Sequence, residues 1–422
     1  VLLLGYSFFK RLHHRIIINF MPMENSGKRS VAIIGGGSAA LMLAAGLDEK
    51  MFDVSIYEKN QAPGRKFLVA GDGGFNLTHS EEIDSFIQRY TPVTFLEKSL
   101  RSFTNDELRE WLKSTGIETY VGSSKRVFPV KGMKPIEVLQ AFLEVLNQKN
   151  VTINTRHEWK GWKDGALLFN EDVLVKPDIT VFALGGASWK VTGSDGAWAE
   201  LFQARGIRIV PFQPSNCAYR IDWKPEFMIG SEGHPLKNIV ITCDEKEKLG
   251  EVVITATGME GGAIYALSAA IRKQLNEKGT AKVFLDLKPG ITVQQIKDKF
   301  SKRGNRSIKK LLEDRLGFTD ATVSLLKSAL SKEDFTDLGL LAEKIKRLPL
   351  KITGTAEMDE AISTVGGIVL REVDENFQLN KIPNSYVIGE MLNWDAPTGG
   401  YLLQACFSMG HYLAEKLNAG DP

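Results

Sequence analysis

Val31-Ala32-Ile33-Ile34 runs without a polar residue into Gly35-Gly36-Gly37-Ser38-Ala39-Ala40, and an Ala/Leu-rich stretch follows to about Asp48. A short continuous apolar run is the pattern of a strand buried on both faces, as in a parallel sheet. The glycines then form a GxGxxA turn between strand and helix. Gly35 permits the tight turn, Gly37 lets backbone approach a pyrophosphate, and Ala40 allows the helix to pack closely on the strand. Ser38 and Ala39 open the helix, whose free N–H groups and partial positive charge favour phosphate. A second strand, Val54-Ser55-Ile56-Tyr57, ends at Glu58-Lys59, and Glu58 is placed to accept hydrogen bonds from an adenosine ribose. The context makes this a dinucleotide-binding βαβ unit rather than an ordinary glycine turn.

Such a turn holds NAD or FAD equally. The next segment, Gly64-Arg65-Lys66 through Asn76-Leu77-Thr78-His79, is a long glycine-rich loop behind a basic pair. It suits an extended ligand, with Arg65 or Lys66 neutralising phosphate charge. At 422 residues, 43% hydrophobic and 25% charged, the chain supports a large core and more than one domain. A net charge of +2 gives no reason to expect nucleic acid or membrane as partner. Cys217, Cys243 and Cys406 lie far apart with no CxxC and no metal-ligand spacing, the usage of a reducing compartment, and we expect a cytoplasmic protein without metal. Residues 1–28 read as a poorly defined extension. Val1–Phe9 is too short to span a membrane, its positive charges follow rather than precede it, and Met21 or Met23 offers an internal start.

GGGSAA, GRKFLVAGDGGFNLTH, FALGGASWKVTGSDG, EMDEAISTVGGI and GEMLNWDAPTGGYLLQACFSMG occur in one order along the chain. With these motifs the sequence resembles the YhiN-like (BaiN/RdsA-like) NAD(P)/FAD-dependent oxidoreductase flavoproteins from about Ser30 to about Leu417. It departs from them at Gly74-Phe75, where most of the family has Arg-Cys, which marks a separate branch and limits transfer of substrate chemistry. The resemblance implies an α/β fold: a glutathione-reductase-like Rossmann FAD-binding domain, completed by the C-terminal segment. It also implies a turn near the cofactor at Gly185-Gly186, backbone of Trp159 near the adenine, and Gly389-Glu390 near the ribityl chain. Thr398-Gly399-Gly400 reads as a helix start with Thr398 as cap. Leu402, Cys406, Met409, Leu413 and Leu417 recur at helical spacing and predict one buried face. In the implied geometry this helix points its N-terminus at the flavin, where its dipole would favour negative charge on the reduced ring.

These readings divide the chain into residues 29–192 and 355–418 as two parts of the FAD domain, with 193–354 inserted as a substrate domain, β-rich over 193–290 and helical over 291–348. Asn238–Thr242, Glu251–Thr255 and Lys282–Leu287 read as its antiparallel strands, and Gly258–Ala263 as a turn leading into a helix. The run Lys297, Lys299, Lys302, Arg303, Arg306, Lys309 and Lys310 reads as a solvated helix face, since no aromatic residues interleave it. Asn76, Thr78, His79, Asn216 and Cys217 are the polar candidates for the reaction centre, but none has a catalytic role assigned. The expected activity is FAD-dependent hydride transfer to or from a small organic substrate, with either O₂ or a transiently docked NAD(P)H as the other redox partner. The alternatives are an RNA-modifying flavoprotein and a flavin-bound sensor or assembly protein without turnover.

Overall fold

The computed structural model describes residues 27–69, 75–228 and 230–420. Residues 1–26 of the extension, and 70–74 of the glycine-rich loop with the departure at Gly74, lie outside the described residues. A five-stranded sheet forms the base of the molecule, in the order Ser385–Val387, Ile179–Phe182, Arg29–Ile34, Phe52–Glu58, Thr152–Thr155. Every pairing in it is parallel. Val31 to Ile34 and Ile179 to Phe182 are buried, as strands covered on both faces must be. The last strand comes from residue 385 onward, so the C-terminal segment completes a sheet begun at the N-terminus.

The C-terminal helix, Tyr401–Asn418, packs on the helix Ser38–Gly46. The approach is close because of glycine: a Cβ on Gly410 would lie 2.5 Å from the Ala39 carbonyl oxygen, and one on Gly46 would lie 2.7 Å from Ala414 Cβ. Burial on this helix goes beyond the predicted single face. Gln404 and Ser408 are also buried, both donating to the Phe103 carbonyl, while Leu402 and Cys406 are only half-buried.

A second sheet has seven strands and its own apolar core, running from Cys217 to Ala361. Its central hairpin pairs Pro235–Cys243 with Lys246–Thr255, and five helices between Val293 and Lys346 pack at one end. Trp198, Phe202 and Ile207 belong instead to the first core. The two cores are joined by an antiparallel ribbon of Ile209–Ser215 with Ser363–Ile368.

Two local expectations are corrected here. Gly258–Glu260 is a short strand rather than a turn, held against Tyr219 so tightly that a Cβ on Gly258 would sit 1.8 Å from the Tyr219 oxygen; only then does the helix Gly262–Tyr265 begin. Thr398 is not the cap of the last helix. Gly400, at φ 96, occupies the cap position and offers no side chain to cap the helix. Gly399 and Gly400 both turn through left-handed backbone, and Gly400 passes so close to Thr78 that a Cβ would meet its Cα at 2.5 Å. That fold-back leaves Thr398 ahead of the helix.

Candidate active site

A cavity of about 720 Å³ lies outside the carboxyl ends of the parallel strands, within the usual range of about 300–1,000 Å³ for ligand sites. Gly35, Gly37, Ser38 and Ala39 reach it from the first strand's turn, and Glu58 and Lys59 from the end of the second strand. Where the sequence predicts continuous loop, a short helix Arg65–Val69 follows Gly64 and brings Arg65 and Lys66 to the cavity; Asn76 lines it further along, and Trp159 from the first strand of a small antiparallel sheet. Gly185, Gly389 and Glu390 follow two further parallel strands into the wall, and Thr398, Gly399, Gly400 and Leu402 complete it at the last helix. Ala40 and Thr78 stand behind the wall: Ala40 is wholly buried in its helix, and Thr78 is buried beneath Gly400.

The glycine turn is shaped by its neighbours. Gly35 has φ 98, and a Cβ there would lie 2.5 Å from the Ala183 carbonyl oxygen. A Cβ on Gly37 would meet no described atom within 4 Å, at the start of a nine-residue helix. Glu58 is held from both sides. Its Oε2 accepts from the Gly36 N–H at 2.8 Å, and its Oε1 accepts from the Asn60 N–H at 2.8 Å and from Asn60 Nδ2 at 2.7 Å. The carboxylate thus braces the turn as well as facing the cavity.

Charge along the wall is mostly paired. Lys66 donates to Glu390 at 2.8 Å and to Ser188 at 3.1 Å, Lys59 pairs with Asp195 at 2.7 Å, and Lys160 with Glu158 at 2.6 Å. Arg65 donates to Asn60 at 3.0 Å. Asn76 Nδ2 is buried without a hydrogen-bond partner among the described residues, a donor available to a ligand. Burial pushes the Cys406 thiol up, so it stays protonated in the wall. Bare glycine backbone at a helix start, a braced carboxylate, basic side chains and an unused amide donor together fit a dinucleotide whose far end carries a ring with hydrogen-bonding edges.

Beneath the start of the last helix lies a polar cluster. Tyr401 donates to Glu81 at 2.6 Å, and Arg89 grips the same carboxylate with bonds of 2.9 and 2.8 Å. Burial alone would raise Glu81, but the bonds from Arg89 and Tyr401 prevail and hold it below the usual carboxylate range. The His79 ring stacks on Tyr401, with centroids 5.2 Å apart.

Several further wall residues do not stand out singly in the sequence, although Trp189 and Ile362 fall within the FALGGASWKVTGSDG and EMDEAISTVGGI motifs. Trp189 lines the cavity in left-handed backbone, φ 64, which is costly for a bulky residue and concentrates at functional sites. Arg126, Gly262, Tyr265 and Ile362 enter from a small antiparallel sheet and from the second core. Asn216 and Cys217 do not line the cavity. Asn216 is buried and donates to Ser363 and to the Ala396 carbonyl, and Cys217 packs in the second core, where burial pushes its thiol up to about 11. Among the described residues, no group of three or more His, Cys, Asp or Glu is disposed to hold a metal ion, and no helix is long and apolar enough to cross a membrane.

The family profile described as HI0933-like protein Rossmann domain matches residues 29–416. A 3-dehydro-bile acid delta(4,6)-reductase of Clostridium scindens is 25% identical over 413 residues, spanning 93% of this chain and 99% of the relative. A ribosomal RNA dihydrouridine synthase of Haemophilus influenzae is 22% identical over 400 residues, spanning 92% of this chain and 98% of the relative. Among solved structures, a 3-ketosteroid-delta4-(5alpha)-dehydrogenase from Rhodococcus jostii RHA1 covers 94% of this chain and 97% of its own, with a TM-score of 0.46 and 11% identity.

Proposed function

The chain belongs to the HI0933-like Rossmann family, and from that premise we propose that this FAD-dependent oxidoreductase moves a hydride between flavin N5 and a small organic substrate. The observation that carries the reading is a single cavity walled by the first glycine turn, by Gly389-Glu390 and Gly399-Gly400 from the far end of the chain, and by Tyr265 and Ile362 from the second core. The substrate enters where the two cores meet, as clefts between packed units commonly admit ligands.

Within that site the chain's residues orient and shield. Gly37 and the helix start behind it receive the diphosphate, with Arg65 beside them. Glu58 accepts from the ribose while bracing Gly36. Asn76, with its unused amide N–H, would donate to the bound cofactor, and the Lys66–Glu390 pair would hold the wall beside it. Bound FAD supplies the two-electron chemistry itself, so the protein's part is binding, positioning and exclusion of water. NAD(P)H serves as a transiently docked donor, and the free thiols of Cys217, Cys243 and Cys406 agree with a cytoplasmic setting.

An RNA substrate is the other reading that the relatives' names invite. The basic run gives it little help, because Lys297 pairs with Glu343, Lys309 with Asp320, and both Lys310 and Arg306 with Asp314. An absorption spectrum of the purified protein, followed by anaerobic addition of NADH or NADPH, tests the proposal. A flavin band bleached by one nucleotide is the expected result. Bound flavin indifferent to both removes the nicotinamide donor and favours an oxidase or a sensor. No flavin after reconstitution with FAD overturns the reading.

A further inference from the structure

Among the described residues, Arg126 is the cation of the cavity wall that the protein leaves uncommitted. The wall lysines Lys59, Lys66 and Lys160 each have a carboxylate partner, and Arg65 is held by Asn60 near the glycine turn. The half-buried Arg126 guanidinium makes no hydrogen bond or ion pair with any described residue. It is nevertheless well placed. Arg126 opens the strand Arg126–Pro129 and pairs in register with His79. Its Nη2 lies 3.9 Å from the point a Cβ on Gly262 would occupy, and its Nε 3.6 Å from the same point on Gly399. The side chain therefore reaches from the turn before the last helix to the edge of the second core.

Its surroundings on that side are apolar. Tyr265, on the same short helix as Gly262, lines the cavity, as does Ile362, which stays 43% exposed. Burial pushes the Tyr265 phenol up to about 12, so it is a neutral group that can donate but not repel an anion. A guanidinium drawn partly out of water without a partner is costly, and its planar fork matches a carboxylate. A diphosphate at the glycine turn is not its partner, because Ala39 of that turn packs on Gly410, about three helical turns along the last helix from the Gly399 that Arg126 approaches.

Resting on the flavoenzyme reading above, we propose that Arg126 binds a carboxylate of the substrate, whose flat apolar body lies against Tyr265 and Ile362. The substrate class is thus an apolar carboxylic acid, held by its acid group beside Gly399 so that its body faces the ring end of the cofactor site.

The test titrates trans-cinnamate into the FAD-loaded protein and follows the flavin absorbance, with uncharged cinnamyl alcohol as the comparison. Wild-type protein is expected to show a saturable change. R126Q should keep its FAD and weaken cinnamate binding by about tenfold or more, with R126K between them and the alcohol indifferent to either change. Should R126Q fail to fold, weaker cinnamate binding by flavin-loaded R126K supports the proposal in its place, and unchanged binding overturns it. The proposal is also overturned if R126Q binds cinnamate like wild type, if the wild-type holoprotein does not respond, or if R126Q loses FAD, which would make Arg126 a cofactor residue. Failure of the underlying reading looks different: no flavin is retained by the wild-type protein.

Discussion

Lys66 Nζ lies 2.8 Å from the Glu390 carboxylate, joining residues 324 positions apart in the wall of one cavity. The two side chains are unequally covered, 28% exposed for Lys66 and 13% for Glu390. Lys66 can recover water if its partner is removed, while Glu390 cannot recover as much. K66M is therefore expected to destabilise the apoprotein more than E390Q, with E390Q costing about 1 kcal/mol or less. Urea unfolding of both single variants and the double variant checks this, and equal single effects would refute the asymmetry.

Gly35 and Gly37 separate folding from binding. G35A must place a methyl group 2.5 Å from the Ala183 oxygen in left-handed backbone, and should cost about 1–3 kcal/mol of apoprotein stability. G37A meets no described atom within 4 Å, at φ −79, and should leave apoprotein melting unchanged while lowering FAD affinity by about tenfold or more. Thermal melting and flavin titration of the two variants distinguish the outcomes.

Arg272 and Asp395 tie the two cores together. Arg272 Nη2 lies 2.5 Å from Asp395, which also accepts from Ser215 at 2.8 Å, and both charged side chains are largely buried. D395N leaves the guanidinium without its counter-charge, at an expected cost of about 3 kcal/mol. Because the pair joins separate cores, unfolding should broaden or split into two calorimetric transitions. A single, unshifted transition would show that the pair contributes little to their coupling.

Acid should loosen the floor of the site through His79. Burial holds its imidazole below the ordinary histidine range; Glu81 opposes this, and Arg89 and Arg126 add to it. The unfolded chain therefore binds the proton more readily. The stability linked to His79 is full above about pH 6.5 and is lost as pH falls from there through the folded value. His411 is lowered as well, chiefly by burial, and adds to the same trend. Melting temperature should fall between pH 7 and pH 5, less steeply in H79Q. An identical slope in H79Q would exclude His79 as a source.

Where backbone chemistry is local, residue order alone was informative. Val31–Ile34 can hardly be anything but a buried strand, and three glycines followed by Ser38-Ala39-Ala40 specify a tight turn into a helix. The antiparallel strands of the second sheet announced themselves in the same way. Local reading misplaced the start of the last helix, because Thr398 is a good cap by type. The close approach of Gly400 to Thr78, a contact between distant segments, decides where that helix begins.

Residue order therefore suffices for the nucleotide-binding βαβ unit, with Glu58 at the end of its second strand, and for the presence of separate sheet-forming regions. Turn geometry, burial periodicity and helix-start chemistry act over a few residues and leave their mark in residue order. Only the tertiary structure decided that Arg126, Trp189, Tyr265 and Ile362 share one cavity with the glycine turn, and that Lys66 meets Glu390. Those juxtapositions arise from strand pairing, from the joining ribbon and from the packing of two cores. Their physical basis is the burial of surfaces contributed by remote segments, and no local pattern records which surfaces will meet.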